Sequence, residues 1–197
     1  MINERVFRDT VSLIIELAGE DGIGGVKLNK SLIITDALHN AIYGKSLTGA
    51  SYIKHRYGPV PGREAYTIIK KMIDSEDIMV FDEMVAPGIY EKNHYLTPFF
   101  QTSKDSFTKE EIAIVSWTVS TVMNMTAQQI SAISHDCNYY NTPMFHEINL
   151  NDVCKWEIIE GTWSMKEEGR AKMVLENNFD EINRLIQAKE VTAHPAI

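Results

Sequence analysis

Cysteine is scarce: Cys137 and Cys154 are the only two in 197 residues. Two thiols make no disulfide framework, and together with nine methionines they suit a reducing compartment, so the cytoplasm is the expected location. Long apolar runs are missing as well. The longest candidates, Val11 to Ala18 and Ile112 to Val115, are interrupted by Ser12 and Glu16 or stopped at Ser116, far short of the roughly 18 to 20 residues of a membrane span. Asn3, Glu4, Arg5 and Arg8 break up the first residues, so no signal peptide is expected there. Catalytic signatures are absent: no G-x-S-x-G, P-loop, H-E-x-x-H or Rossmann fingerprint occurs. Four glycines fall within Gly19 to Gly25, but no strand pattern precedes them and no G-K-[ST] follows. His135, Cys137, His146 and Cys154 are separated by one, eight and seven residues, which fits none of the usual zinc pairs. The expectation is therefore a protein without catalytic residues, metal or cofactor.

The sequence does contain ordinary globular material. Hydrophobic residues make up 44% and charged residues 23%, and the length allows one domain with a real core. Net charge is −8, unevenly spread. Lys45 to Ile73 carries six basic residues against Glu64 alone, whereas residues 74–197 carry 9 basic and 20 acidic ones. A basic stretch in an acidic chain suits an acidic protein surface or a phosphate backbone, or is simply a solvated face.

Periodicity predicts a mainly α fold with minor β. A first helix is expected from about Asn3 to Ala18, and a second from about Lys27 to Tyr43. Leu28, Leu32, Ile33, Ile34, Ala37, Leu38, Ala41 and Ile42 occupy nearly every side of the second, which places it at the centre of the fold. Asp36 and His39 read as a polar pair in that core. Tyr52 to Arg56 reads as extended, and Pro59 and Pro61 as forbidding regular pairing. A third helix follows, with Ala65, Ile68, Ile69, Met72 and Ile73 on one stripe. Two strands within 78–96 then form a small hairpin around Ala86-Pro87-Gly88. Capping boxes at Thr108 with Glu111, Thr126 with Gln129 and Ser164 with Glu167 open three more helices. The domain is expected to span 1–163. An amphipathic helix at 164–190 would pack on it or on a partner.

Three boxes occur in order. The first is Lys27-Leu28-Asn29-Lys30, followed by Tyr43-Gly44-Lys45-Ser46-Leu47. The second is Arg56-Tyr57-Gly58-Pro59-Val60-Pro61, and the third runs from Thr126 through Ile130, Ser131 and Ser134 to His135-Asp136. Together they resemble the Panacea (SocA-type) antitoxin domain, often found in phage-associated proteins. Asn29, Ser46 and Ser134 stand where the family pattern has Gln, Pro and Thr. The resemblance implies an antitoxin that neutralises a cognate protein toxin by direct contact, in some members by delivering it to a protease.

On that reading the partner-binding residues are Lys27, Lys30, Lys54, Arg56, Tyr57, Gly58, Pro59, Val60, Pro61, Arg63 and His135. Tyr57 to Pro61 reads either as a rigid recognition loop or as a stiff connector, since prolines lower the ordering cost of binding. Lys27 and Lys30, three apart at a helix start, are either solvated or paired with an acidic group. His135 either closes a helix or meets the partner. The rival reading is a DNA-binding regulator: a helix followed by a hairpin is the order of a winged helix, with Arg63, Lys70 and Lys71 toward phosphates. Asp82, Glu83 and Glu91 make that wing acidic, so DNA is expected at most as a secondary partner.

Overall fold

The first helix, α1 (Glu4–Ala18), starts at Asn3, whose side chain accepts the Val6 N–H, and ends at Gly19 with φ +93°. A computed structural model describes residues 1–86, 90–96, 104–135 and 137–150. The expected hairpin tip at Pro87-Gly88, Asp136, Cys154 and the expected helix at 164–190 lie outside the described residues. Strand β1 (Ile23–Gly24) leads directly into α2 (Gly25–Tyr43), which stops at left-handed Gly44. Every residue of α2 from Lys30 to His39 is buried, polar ones included. Helix α1, two later helices and strands from both sheets surround it. All-round apolarity thus does mark the central helix.

After α2 the chain forms β2 (Tyr52–Ile53) and β3 (Val60–Pro61), paired antiparallel. The expectation that the two prolines forbid pairing fails here. The Gly62 N–H donates to the Ser51 carbonyl at 2.8 Å, making that pair the hydrogen-bonded one. Pro61, opposite Tyr52, then falls where a backbone N–H would point away from the partner strand, so its missing donor costs nothing. Helix α3 (Arg63–Asp74) follows, with Ala65, Ile68, Ile69 and Met72 buried and Ile73 partly so.

The hairpin consists of β4 (Met79–Ala86) and β5 (Tyr90–Leu96). It is not isolated: Ile23 pairs with Tyr95 and Gly24 with His94, giving a three-stranded sheet of order β1-β5-β4. Two residues of strand carry no period to read, so the sequence expectation stopped at a hairpin. A 3-10 turn (Lys104–Ser106) precedes α4 (Lys109–Met123) and α5 (Ala127–Ile133). Both begin with the reciprocal capping boxes expected at Thr108/Glu111 and Thr126/Gln129. A short α6 (Cys137–Asn141) comes last. Residues 145–148 then lie along the free side of β2, with Phe145 N–H to Lys54 O, Lys54 N–H to His146 O and Ile148 N–H to Tyr52 O. Among the described residues no helix is long and apolar enough to cross a membrane.

Candidate partner-binding site

The three sequence boxes, far apart in the chain, meet at one corner. Lys30 is 1% exposed, and its ammonium donates to the Pro59 carbonyl oxygen at 2.9 Å. Burial lowers its pKa to about 7, because the charged form has lost its water. The loop above it turns at Gly58, whose N–H bonds to the His55 carbonyl at 3.0 Å and whose φ is +95°. A Cβ at Gly58 would run into the Lys30 ammonium and lie 2.6 Å from the Ser134 hydroxyl. Glycine is therefore required twice over, for the left-handed backbone and for the close approach.

The third box closes the corner from the other side. Ser134 caps the end of α5 and donates to the Ser131 carbonyl. The His135 ring stacks flat on Tyr139, with centroids 4.1 Å apart and planes within 3°. Tyr139 in turn donates from its hydroxyl to the His55 carbonyl at 2.9 Å. The Lys54 ammonium sits 4.5 Å above the same ring and donates to the Thr142 carbonyl at 2.8 Å. The backbone of 54–59 is thus held from below by Lys30 and from the side by Tyr139 and residues 142–146.

These contacts sort the sequence-predicted residues. Lys30, Gly58, Pro59 and Pro61 are buried, so they support the loop and offer a partner no surface. Neither lysine is the solvated side chain expected, and each donates to a backbone carbonyl. Lys30 serves a carbonyl, and the half-buried Lys27 donates to the Met123 carbonyl at the end of α4, where a cation is favoured by the helix dipole. Lys54, Val60 and His135 are half-buried. His135 follows the C-cap Ser134 directly, its N–H on the Ala132 carbonyl of the last turn of α5 at 3.2 Å, and its ring stacks on Tyr139. Arg56, Tyr57 and Arg63 are exposed, Tyr57 by 61%, with the Arg56 guanidinium 5.5 Å from the Tyr57 ring. The loop divides by residue: Gly58-Pro59 is the buried, stiff connector, and Arg56-Tyr57 is the exposed part that it carries.

A second buried knot anchors the connector between α2 and β2. The Asp36 carboxylate accepts hydrogen bonds from the Thr48 N–H at 2.8 Å, the Thr48 hydroxyl and the Tyr52 hydroxyl at 2.7 Å. Burial raises the Asp36 pKa against the pull of those donors, and burial with the carboxylate pushes Tyr52 well up. Asp36 and His39 are both buried as expected and interact through charge, His39 pulling the Asp36 pKa down, but they share no hydrogen bond. His39 contacts the Lys45 carbonyl at 2.7 Å and Glu111 at 3.3 Å.

Sequence reasoning missed Tyr140, Met144 and Phe145, all exposed beside this corner. A signal was present, since aromatics in a turn-rich stretch next to Pro143 have little core to enter. What the fold and the corner define is a helical domain that displays a stiff, buttressed turn. Its family is specific: the chain belongs to the family described as antitoxin SocA-like, Panacea domain, whose sequence model matches residues 28–139. All three boxes fall in that span except for Lys27. No curated protein and no solved structure matches the chain significantly.

Proposed function

We propose that this chain is an antitoxin that neutralises a cognate protein toxin by direct contact, without catalysis of its own, in the cytoplasm. The observation that carries the reading is Tyr57, 61% exposed on a turn whose backbone is fixed by Lys30, Gly58 and Tyr139. An aromatic presented on a rigid loop loses little entropy on binding and is the kind of residue that dominates interface energies. Family membership supports a toxin as the partner. Co-expression tests it: each gene adjacent to this one is induced alone and together with it. A neighbour that halts growth alone and is rescued by this chain supports the reading, and two harmless neighbours reject it. Toxin abundance during rescue separates blocking from delivery to a protease. Constant toxin means blocking, and falling toxin means an adaptor.

One observation favours DNA as a further partner. The order α1-β1-α2-α3-β4-β5 with sheet order β1-β5-β4 is that of a winged helix, carrying an insertion at 44–62. In that arrangement α3 would be the reading helix, and Arg63, Tyr66 and Lys70 lie on its exposed side. Glu64 and Asp74 share the helix, and Lys71 is 3.5 Å from Glu4, which leaves few free cations. A gel shift on the DNA upstream of this gene, repeated across salt concentrations, decides it. Binding through phosphates weakens steeply with salt.

A further inference from the structure

Four of the large apolar side chains exposed on the described surface cluster at one corner: Tyr57 at 61%, Met144 at 44%, Phe145 at 68% and Tyr140 at 69%. A backbone bond and ring contacts tie their segments to the 54–58 turn. Phe145 N–H donates to Lys54 O, the His55 and Phe145 rings lie 6.0 Å apart, and Tyr140 packs edge-on to Tyr139, which is tied to His55. Phe145 is also one of two non-glycine residues of the described chain with positive φ, at +65°. A bulky residue adopts that conformation only where its surroundings impose it, and here the imposed conformation turns a phenyl ring outward. Three of the four aromatic or thioether groups lie beyond residue 139, outside the family match.

We infer that Tyr57, Tyr140, Met144 and Phe145 form one composite docking surface for a protein segment with an apolar anchor flanked by carboxylates. This rests on the antitoxin reading and names the chemistry of the partner. Charge complementarity selects the occupant. Arg56, His55 and His146 are exposed around the patch, Arg63 follows on the neighbouring helix, and Glu147 is the exposed carboxylate of the same loop. Stacking bases would suit the aromatic groups too, but a nucleic-acid groove needs several free cations along the backbone. Lys54 beside the patch already spends its ammonium on the Thr142 and Tyr140 carbonyls and the Tyr139 ring. A segment of a folded or folding protein fits better than a strand of RNA. Because most of the patch lies outside the family match, it would also distinguish this chain's partner from those of its relatives.

A random peptide library displayed on phage, panned on the immobilised full chain, is the test. Recovered peptides are expected to share an aromatic or leucine anchor with neighbouring Asp or Glu. Phe145→Asp and Arg56→Glu should each lower their recovery at least about ten-fold while thermal melts stay unchanged. Recovery without acidic flanks, no enrichment, or enrichment indifferent to both variants overturns the proposal. So does displacement of the peptides by polyuridylate RNA, or a dimeric wild type made monomeric by Phe145→Asp, which would give the patch to a second copy. The co-expression assay keeps the two claims apart. Rescue by wild type and equally by Phe145→Asp sinks the patch and leaves the antitoxin reading intact. Acidic peptides recovered where neither neighbour is toxic sink the antitoxin reading and leave the patch.

Discussion

From inside the protein, the Lys30 ammonium donates to the carbonyl oxygen of Pro59, 29 positions along the chain. A buried lysine bonded to a neutral acceptor holds the loop, and no carboxylate among the described residues forms an ion pair with it. The arrangement makes stability depend on pH in a defined direction. Burial lowers the folded pKa to about 7 from the ordinary 10.5. Between those values the unfolded chain binds a proton that the folded one has released, so stability rises with pH, by up to about 1.4 kcal/mol per unit. Below pH 7 both states are protonated and the full burial cost is felt. Urea denaturation of the wild type at pH 7, 8 and 9 should show this rise relative to Lys30→Met, which lacks the titrating group. Parallel curves for the two proteins would show that Lys30 keeps its charge when buried. Measurements stop at 9 because Tyr52, with its pKa raised, begins to oppose the trend above 10.

Gly58→Ala tests the same corner from the loop side. Alanine at φ +95° is strained, and its Cβ would meet both the Lys30 ammonium and the Ser134 hydroxyl. Strain of this kind costs about 1 to 3 kcal/mol before the collision is counted, so a loss of about 2 to 4 kcal/mol in urea denaturation is expected. In a Lys30→Met background part of the collision disappears. The double variant should then be more stable than the sum of the single losses requires, by at least about 0.5 kcal/mol. Strict additivity would mean that the ammonium and the Gly58 site do not touch.

Much of the fold was legible because its signals are local. Both observed capping boxes, the all-round apolarity of α2 and the stripe of α3 depend on residues within one helix. What the sequence hid was pairing between distant short pieces. Ile23-Gly24 is a strand only because Tyr95 and His94 lie beside it, and Pro61 pairs because Gly62 supplies the donor next to it. The site divides the same way. The order of the boxes singled out the loop at which they meet, but the burial of Lys30 and the exposure of Phe145 depend on what packs around them. No spacing encodes that. A lysine at a helix start is usually solvated, and this one is buried because the Gly58 turn folds back over it.

Asp36 should be a stability residue. Removing its carboxylate leaves the Thr48 N–H, the Thr48 hydroxyl and the Tyr52 hydroxyl without their acceptor in the core. Each unsatisfied buried donor costs about 1 to 3 kcal/mol, though relaxation shares the loss between them. Asp36→Ala is expected to lower stability by at least about 3 kcal/mol, which for a chain of this size is a fall in Tm of roughly 6 to 12 °C. Tyr52→Phe removes one donor together with its bond and should cost only about 1 kcal/mol. Equal losses for the two variants, measured by calorimetry, would contradict the central place given to the carboxylate.

Arg56 and Tyr57 should matter for binding and not for folding. Both side chains are exposed, Tyr57 by 61%, and the hydrogen bonds that fix their turn run through backbone atoms and through Lys30 and Tyr139. Substitution at such positions usually changes stability by no more than about 0.5 kcal/mol. Tyr57→Ala and Arg56→Glu are each expected to weaken binding of the cognate toxin by more than about 1 kcal/mol, the range of residues that anchor an interface. Arg56→Glu should also slow association and flatten its dependence on salt, because charge of one sign steers encounter with an acidic partner. Surface plasmon resonance on the toxin identified by co-expression gives both numbers, and melts of the same samples check the fold. A well-folded Arg56→Glu, Arg63→Glu double variant that binds as tightly as wild type would falsify the basic surface as the point of contact. Suspicion would then move to the acidic half of the chain beyond residue 73, where a basic toxin surface would find its complement.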